Sequence, residues 1–328
     1  MTRLRRGGAC RITTACARDT GGNLHGTRYV LIGALAILAA ASTWGTLGIF
    51  SKMLYAEGVS FESLVAFRAT VGWLAVMLFL LATDGARRLR VAGQDLVFLL
   101  PLGVVGIGLF YLFYFFTVRE SAVGTAAVLL YSSPAFVVVL AWLFLGEGLG
   151  PAKLISLDLT VGGVFLVAGA YDPANLDVTP TVLVTGLLAG LTYGLYSIFG
   201  RPVAGRLGSA VILSYALFFG AVLLLLAAIP TLRTLVGLPL GSYALLVMLA
   251  VVHTALAFAF YTFGLGRLGA GRAAIVATVE PVVAGALGTV LLGEELTAPK
   301  VVGAALVISG AVLAQIRFGK TGRTRRSM

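Results

Sequence analysis

Apolar residues in this chain fall into blocks of about 20, the length that carries a helix across a bilayer, and each block is closed by glycine, proline or charge. The first five blocks lie near residues 29–50, 61–82, 96–118, 123–145 and 154–170. The other five lie near 181–199, 210–229, 243–265, 272–292 and 301–316. The blocks at 154–170 and 301–316 are the shortest and are expected to draw on their flanks. The pattern predicts an all-α membrane protein of ten transmembrane helices, with short polar connections and no soluble domain.

Composition supports the same solvent. Hydrophobic residues make up 59% of the 328 and charged ones only 11%, and the mean hydropathy is +1.01. Too little polar surface is available to cover a water-soluble body. The net charge of +11 would suggest a nucleic-acid partner in a soluble protein. Here the bases instead collect in the tails and in alternate loops, which is a topology signal. With both termini on the cytoplasmic side, nineteen of the 24 Lys and Arg residues fall inside. Four, Lys52, Arg119, Arg233 and Lys300, fall outside, and Arg68 lies within a block.

The first 28 residues carry six arginines and no apolar periodicity, and are expected to form a disordered cytoplasmic tail. A cleaved signal peptide is the rival reading of a basic stretch before an apolar run. It fits less well, because that run is about 20 residues long and nine more follow. Cys10 and Cys16 stand in this tail, without the close spacing or partner histidines of a metal site. Neither a disulfide nor a metal is expected.

The chain also repeats itself at an offset of about 147 to 149 residues. TWGTLGIFSK at Thr43–Lys52 aligns with TYGLYSIFGR at Thr192–Arg201. Phe113-Tyr114 aligns with Phe260-Tyr261, and Pro134 with Pro281. LGE at Leu145–Glu147 aligns with Leu292–Glu294, each followed six residues later by Lys153 or Lys300. The organisation expected is a basic tail over 1–28, a first five-helix repeat over 29–170 and an outer loop over 171–180. A second five-helix repeat over 181–318 and a basic tail over 319–328 complete it. Five helices is an odd number, so the second repeat enters from the opposite side and the two are inverted, an arrangement many secondary transporters use for alternating access.

The Trp-Gly and Tyr-Gly segments, the Glu280-Pro281 pair and the two LGE endings, in this order and spacing, resemble the EamA family of the drug/metabolite transporter superfamily. The likeness covers roughly residues 29–318. It implies a ten-helix carrier of the cytoplasmic membrane that moves a small metabolite, commonly exporting amino acids or related compounds, and often taken to be proton-coupled. It does not transfer a substrate.

Three charges lie within the blocks, Arg68, Asp158 and Glu280. There each costs about 2.5–3.5 kcal/mol on insertion scales, so such residues usually face a cavity or a partner. Glu280 lies about 12 Å and about 18 Å from the ends of its block at 1.5 Å per residue, close to the midplane. It reads as a proton-coupling or substrate-binding carboxylate, or alternatively as a packing group paired with Arg68. Arg68 could hold a substrate carboxylate, act as a counter-charge or snorkel outward. Asp158, five residues past Lys153, reads as interfacial. Pro134 and Pro281 have no amide hydrogen, so the carbonyls of Leu130 and Ala277 lose their helical partners. Freed acceptors at that depth are tolerated when buried in protein or lining a wet cavity.

Trp44, Tyr114, Tyr131, Tyr193 and Tyr261 are candidates to line a site for a small organic ligand, with ordinary packing or interfacial anchoring as the alternative. His253, a lone histidine within a block, reads as a satisfied polar residue. An integral membrane enzyme is disfavoured. The chain has two histidines, two tail cysteines and no phosphate-cradling or metal-ligand pattern, so no cofactor is expected. The expected partners are the lipid bilayer, a small-molecule substrate and protons, without nucleic acid. A channel remains the other alternative. The oligomeric state is not encoded in any pattern found.

Overall fold

With no water to bond to, backbone amides in hydrocarbon must be satisfied within their own segment. The computed structural model describes residues 20–83, 89–121, 123–167, 169–172, 178–292 and 297–314, and among them there are helices and no strands. The first half comprises α1 (Thr20–Trp44), α2 (Leu47–Ala56), α3 (Phe61–Thr83), α4 (Gly93–Gly103), α5 (Phe110–Glu120), α6 (Val123–Leu130), α7 (Ser133–Leu145) and α8 (Pro151–Val167). The second comprises α9 (Pro180–Ala204), α10 (Ser209–Ala228), α11 (Leu240–Ala250), α12 (Ala257–Leu268), α13 (Ala270–Ala277), α14 (Glu280–Leu292) and α15 (Ala298–Leu313). Among the described residues, seven helical stretches are long and apolar enough to cross a membrane, taking α1–α2, α4–α5, α6–α7 and α11–α12 as single runs. The protein is thus a multi-pass membrane protein. The other three anticipated blocks, the fifth, ninth and tenth, correspond to α8 with 17 residues, the interrupted pair α13–α14, and α15 with 16.

Several expected blocks are interrupted. The first breaks after Trp44 and resumes at Leu47, and the fourth and ninth break at Tyr131–Ser132 and Thr278–Val279. α6 and α13 end on Leu130 and Ala277, the residues whose carbonyls lose their partners to Pro134 and Pro281. The chain tightens there, with Ser132 N–H donating to Leu129 O at 3.2 Å and Val279 N–H to Val276 O at 3.3 Å. Two further irregularities leave no mark in hydropathy. Wider π-helical turns, Val104–Leu109 and Val251–Leu256, interrupt the third and eighth runs. α1 starts at Thr20, before the apolar run, since a nucleated helix gains one hydrogen bond per added residue. Residues 1–19, with Cys10 and Cys16, lie outside the described residues, as do Glu294 and residues 84–88 of the basic loop.

From α4 to α7, every element start recurs in α11 to α14 at an offset of 147, and so does every element end except that of α5, Glu120, whose counterpart α12 runs one residue further to Leu268. Gly93 answers to Leu240, Val104 to Val251, and Ser133 to Glu280. The packing is reciprocal. α1 lies against α12, α13 and α14 of the second half, while α9 lies against α5, α6 and α7 of the first. α3 pairs with α10, and α8 with α15.

Glycine sets the closest of these contacts. A Cβ on Gly163 would stand 2.6 Å from the Gly303 carbonyl oxygen, and one on Gly303 would stand 2.6 Å from that of Gly163, so α8 and α15 touch backbone to backbone. The Trp-Gly and Tyr-Gly motifs act likewise. A Cβ on Gly45 would lie 3.1 Å from Glu280 O, and one on Gly194 would lie 3.5 Å from Ser133 O, the equivalent atom of the other half.

Candidate functional site

The interruptions converge on one small cavity. The first half lines it with Trp44, Leu47, Arg68, Phe110, Tyr111, Tyr114, Phe115 and Leu130, and the second with Tyr193, Phe258 and Glu280. Trp44 is the last residue of α1, Leu47 opens α2, Leu130 closes α6 and Glu280 opens α14. Each interruption thus ends at the cavity wall, where backbone groups left without helical partners are tolerated.

The wall is mostly aromatic. Trp44 meets Phe258 edge-on at 4.9 Å between ring centroids and Tyr193 at 6.2 Å. Phe110 tilts against Tyr193 at 5.0 Å and stacks on Tyr114 at 5.7 Å. Such pairs contribute about 0.5–1.5 kcal/mol each beyond their burial, which favours a firm wall.

Two charged residues break this apolar surface. Arg68, on α3, is only 1% exposed. Its Nε and Nη2 donate to Thr254 Oγ1 at 3.2 and 3.1 Å, and the guanidinium carbon stands 5.0 Å from the centroids of both Tyr111 and Phe115. Arg68 Nη1 is buried without a hydrogen-bond partner. Glu280 is half-buried at the first turn of α14. The Tyr131 hydroxyl is buried without a hydrogen-bond partner. Among the described residues no ion pair joins Arg68 to Glu280, so the packing pair considered from sequence is not formed.

Of the residues singled out from sequence, Trp44, Arg68, Tyr114, Tyr193 and Glu280 share this cavity. Tyr131 and Tyr261 do not line it. Tyr131 packs with Val164 and Val307 in a separate apolar cluster. Tyr261 stands behind the wall, 5.6 Å from Trp44, with its hydroxyl 2.7 Å from Ser197 Oγ. Pro134 and Pro281 occupy the first turns of α7 and α14, where a missing amide costs least. Asp158 is exposed on α8. His253 is buried, with Nε2 sharing a 2.7 Å hydrogen bond with Thr46 Oγ1. Among the described residues no three or more His, Cys, Asp or Glu gather as metal ligands.

At the end of the bundle that holds Lys153, Arg201, Arg206 and Arg267, the two halves are tied directly. Glu147, just past α7, accepts from Ala270 N at 2.8 Å, Gly271 N at 3.3 Å and Lys153 Nζ at 2.9 Å. It thereby caps the start of α13, which follows α12 through the single residue Gly269 at φ +84°. Burial pushes the Glu147 carboxyl up, but the Lys153 bond and charge with the two backbone amides outweigh it and hold it below the usual carboxylate range. Arg206 pairs with buried Asp95 at 2.8 Å, and Arg201 donates to Gly266 O at 2.9 Å.

The family model of the EamA-like transporter family matches residues 31–169 and again 180–315. The chain belongs to the EamA-like transporter family. An Archaeoglobus fulgidus protein described as an uncharacterized transporter is 28% identical to this EamA-like chain, covering 88% of it and 97% of the relative. The Salmonella typhimurium inner membrane transporter YicL, also described as uncharacterized, is 26% identical over 89% of this chain and 97% of its own length. A Streptantibioticus cattleyicolor protein described as a probable terminal-alkyne amino-acid exporter is 27% identical over 74% of this chain and 80% of its own. A solved crystal structure shares the fold with a TM-score of 0.71 at 21% identity, covering 86% of this chain and 96% of that one.

In this EamA-like transporter, Tyr111, Phe110, Phe115 and Phe258 are wall residues that the candidates read from sequence did not include. A signal for two of them was present, since Tyr111 and Phe258 stand 147 residues apart, one turn before the matched Tyr114 and Tyr261. Phe115, whose ring closes over Arg68, had no such counterpart.

Proposed function

We propose that this protein is a secondary active exporter of a small zwitterionic metabolite of the amino-acid kind. Its proposed frame is ten membrane-crossing helices in two inverted five-helix repeats. The observation that carries the reading is the presence of two opposite charges, Arg68 from the first half and Glu280 from the second, unpaired with each other on one aromatic wall. A ligand with a carboxylate and an ammonium group would satisfy both, the carboxylate at Arg68 Nη1 and the ammonium at Glu280. The rings would take its apolar part. The relative described as a probable amino-acid exporter agrees in substrate class and direction.

The ten-crossing count follows if α8, α13–α14 and α15 also span the bilayer. α13–α14 matches the spanning pair α6–α7 boundary for boundary, and α8 and α15 lie against each other. Five crossings per half then invert the second half, and exchange of the two halves' conformations moves the cavity from one face to the other. The basic end that carries Glu147 would face the cytoplasm. Glu280 would take up a proton when the substrate leaves, coupling transport to the proton gradient.

Reconstituted protein is tested by flux of a metabolite panel into and out of liposomes under an imposed proton gradient, with wild type beside Glu280→Gln and Arg68→Gln. Gradient-driven flux of zwitterions is expected in wild type, with Glu280→Gln uncoupled from the gradient and Arg68→Gln weakened toward substrates that keep a carboxylate. Flux indifferent to both the gradient and Glu280→Gln would end the coupling mechanism. Conversion of a substrate without net movement would point to an enzyme instead.

A further inference from the structure

The two π-helical turns occupy equivalent places, but their chemistry differs. Val104–Leu109 reads VVGIGL and packs its glycines on Tyr196 and Leu223. Val251–Leu256 reads VVHTAL, with His253 and Thr254 where the first half has Gly106 and Ile107. The polar groups of this second turn bond to residues of the first half. The His253 carbonyl oxygen accepts from Trp44 Nε1 at 2.9 Å, and its ring meets Thr46 Oγ1 at 2.7 Å, so the turn is fastened on both sides of the α1–α2 break.

Thr254 is fixed from behind. Its hydroxyl donates to Leu249 O five residues back at 3.1 Å, the spacing that a π-turn brings into reach. With its hydrogen so used, Oγ1 presents only lone pairs forward, and both Nε and Nη2 of Arg68 donate to it. Gly72, one turn beyond Arg68 on α3, permits the approach. A Cβ there would stand 3.1 Å from both Ala250 O and Thr254 Cγ2. The guanidinium is gripped along one edge by Thr254 and lies against the neighbouring rings of Tyr111 and Phe115, and Nη1 is left buried and unpartnered. A buried charged donor without an acceptor is unfavourable, and it supplies a fixed place for an anionic oxygen.

The geometry points to Thr254 as the positioning residue of the site, holding the Arg68 guanidinium so that Nη1 is the donor offered to the substrate carboxylate. This rests on the zwitterion reading above, and it adds a residue that does not line the cavity and acts on it through Arg68. An unsecured arginine loses side-chain freedom on each binding event, and a secured one does not. Thr254 therefore bears on affinity and on carboxylate selection more than on turnover.

The test uses the whole protein in liposomes, with L-leucine and L-leucinamide as probes, and Thr254→Val beside Thr254→Ser. Valine keeps the shape and removes the acceptor, and serine restores it. Thr254→Val is expected to raise the KM for L-leucine about tenfold, to change the maximal rate by less than about twofold, and to narrow the preference for L-leucine over L-leucinamide. Thr254→Ser is expected to return all three toward wild type. A second readout needs no substrate. In protein labelled with ¹⁵N-arginine, Arg68 should give separate, slowly exchanging Nη1 and Nη2 signals, assigned by their loss in Arg68→Lys. They should average in Thr254→Val and return in Thr254→Ser. Distinct Arg68 signals and an unmoved KM in a folded Thr254→Val protein would overturn the proposal. Absence of L-leucine flux in wild type, with the Arg68 signals responding as described, would instead remove the zwitterion reading and leave the positioning role standing.

Discussion

Adding one methyl group at Gly45 tests how closely the two halves must meet at the cavity. A Cβ at this position would stand 3.1 Å from Glu280 O, 3.2 Å from Ala284 N and 3.2 Å from Val283 Cβ. Two of these neighbours are backbone atoms of the first turns of α14 and cannot rotate away, so the α1–α2 junction or α14 must shift by a few tenths of an ångström. Overpacking of this kind costs about 1–3 kcal/mol. No gain in helix propensity offsets it, because Gly45 stands between α1 and α2. The equivalent substitution in the other half differs on both counts. Gly194 lies inside α9, where glycine to alanine recovers about 0.5–1 kcal/mol. Its tightest neighbour is a side-chain methyl, Val137 Cγ2 at 3.0 Å, with Ser133 O further off at 3.5 Å. Gly162→Ala serves as a control, since it lies in α8 with open space where its Cβ would go. Thermal unfolding in detergent should rank Gly45→Ala clearly below wild type, Gly194→Ala near it and Gly162→Ala at or above it. Indistinguishable midpoints for Gly45→Ala and Gly194→Ala would refute the assignment of Gly45 as a backbone-contact position.

Glu147→Gln should loosen the tie between α7 and α13. The carboxyl is held below its ordinary value, so its contribution to stability is present above the unfolded pKa of about 4.3 and is lost as pH falls through the lower folded value. The stability gap between wild type and Glu147→Gln is therefore expected to close below about pH 4, and a gap unchanged from pH 7 to pH 3 would contradict it. Gly163→Val sets a side chain against the Gly303 carbonyl oxygen and Val307 N. It should separate α8 from α15 and lower the unfolding midpoint more than Gly162→Val does. Trp44→Phe removes the donor to the His253 carbonyl oxygen and leaves a buried acceptor unmet, a loss of about 1–3 kcal/mol that hydrogen exchange at the Val251–Leu256 turn should register.

Sequence by itself determined what depends on neighbours along the chain. Apolar runs forced helices because hydrocarbon offers the backbone no other partner, and Pro134 and Pro281 marked where two of those runs come apart. The offset between copies was legible because each copy repeats the same local requirements, down to a glycine after Trp44 and after Tyr193. Tertiary structure decided the rest. The π-turn at Val251–Leu256 has no residue signature, since its cost is met by contacts with Trp44, Thr46 and Arg68, about 190 to 210 residues away in the chain. Tyr131 and Tyr114 looked alike in hydropathy, but only Tyr114 lines the cavity, while Tyr131 packs against Val164 of α8 and Val307 of α15. That Arg68 and Glu280 share a wall without pairing is likewise a property of packing, for nothing in the residues between them specifies the distance. Side-chain type is local, whereas the direction in which a side chain points is set by the helix packed against it.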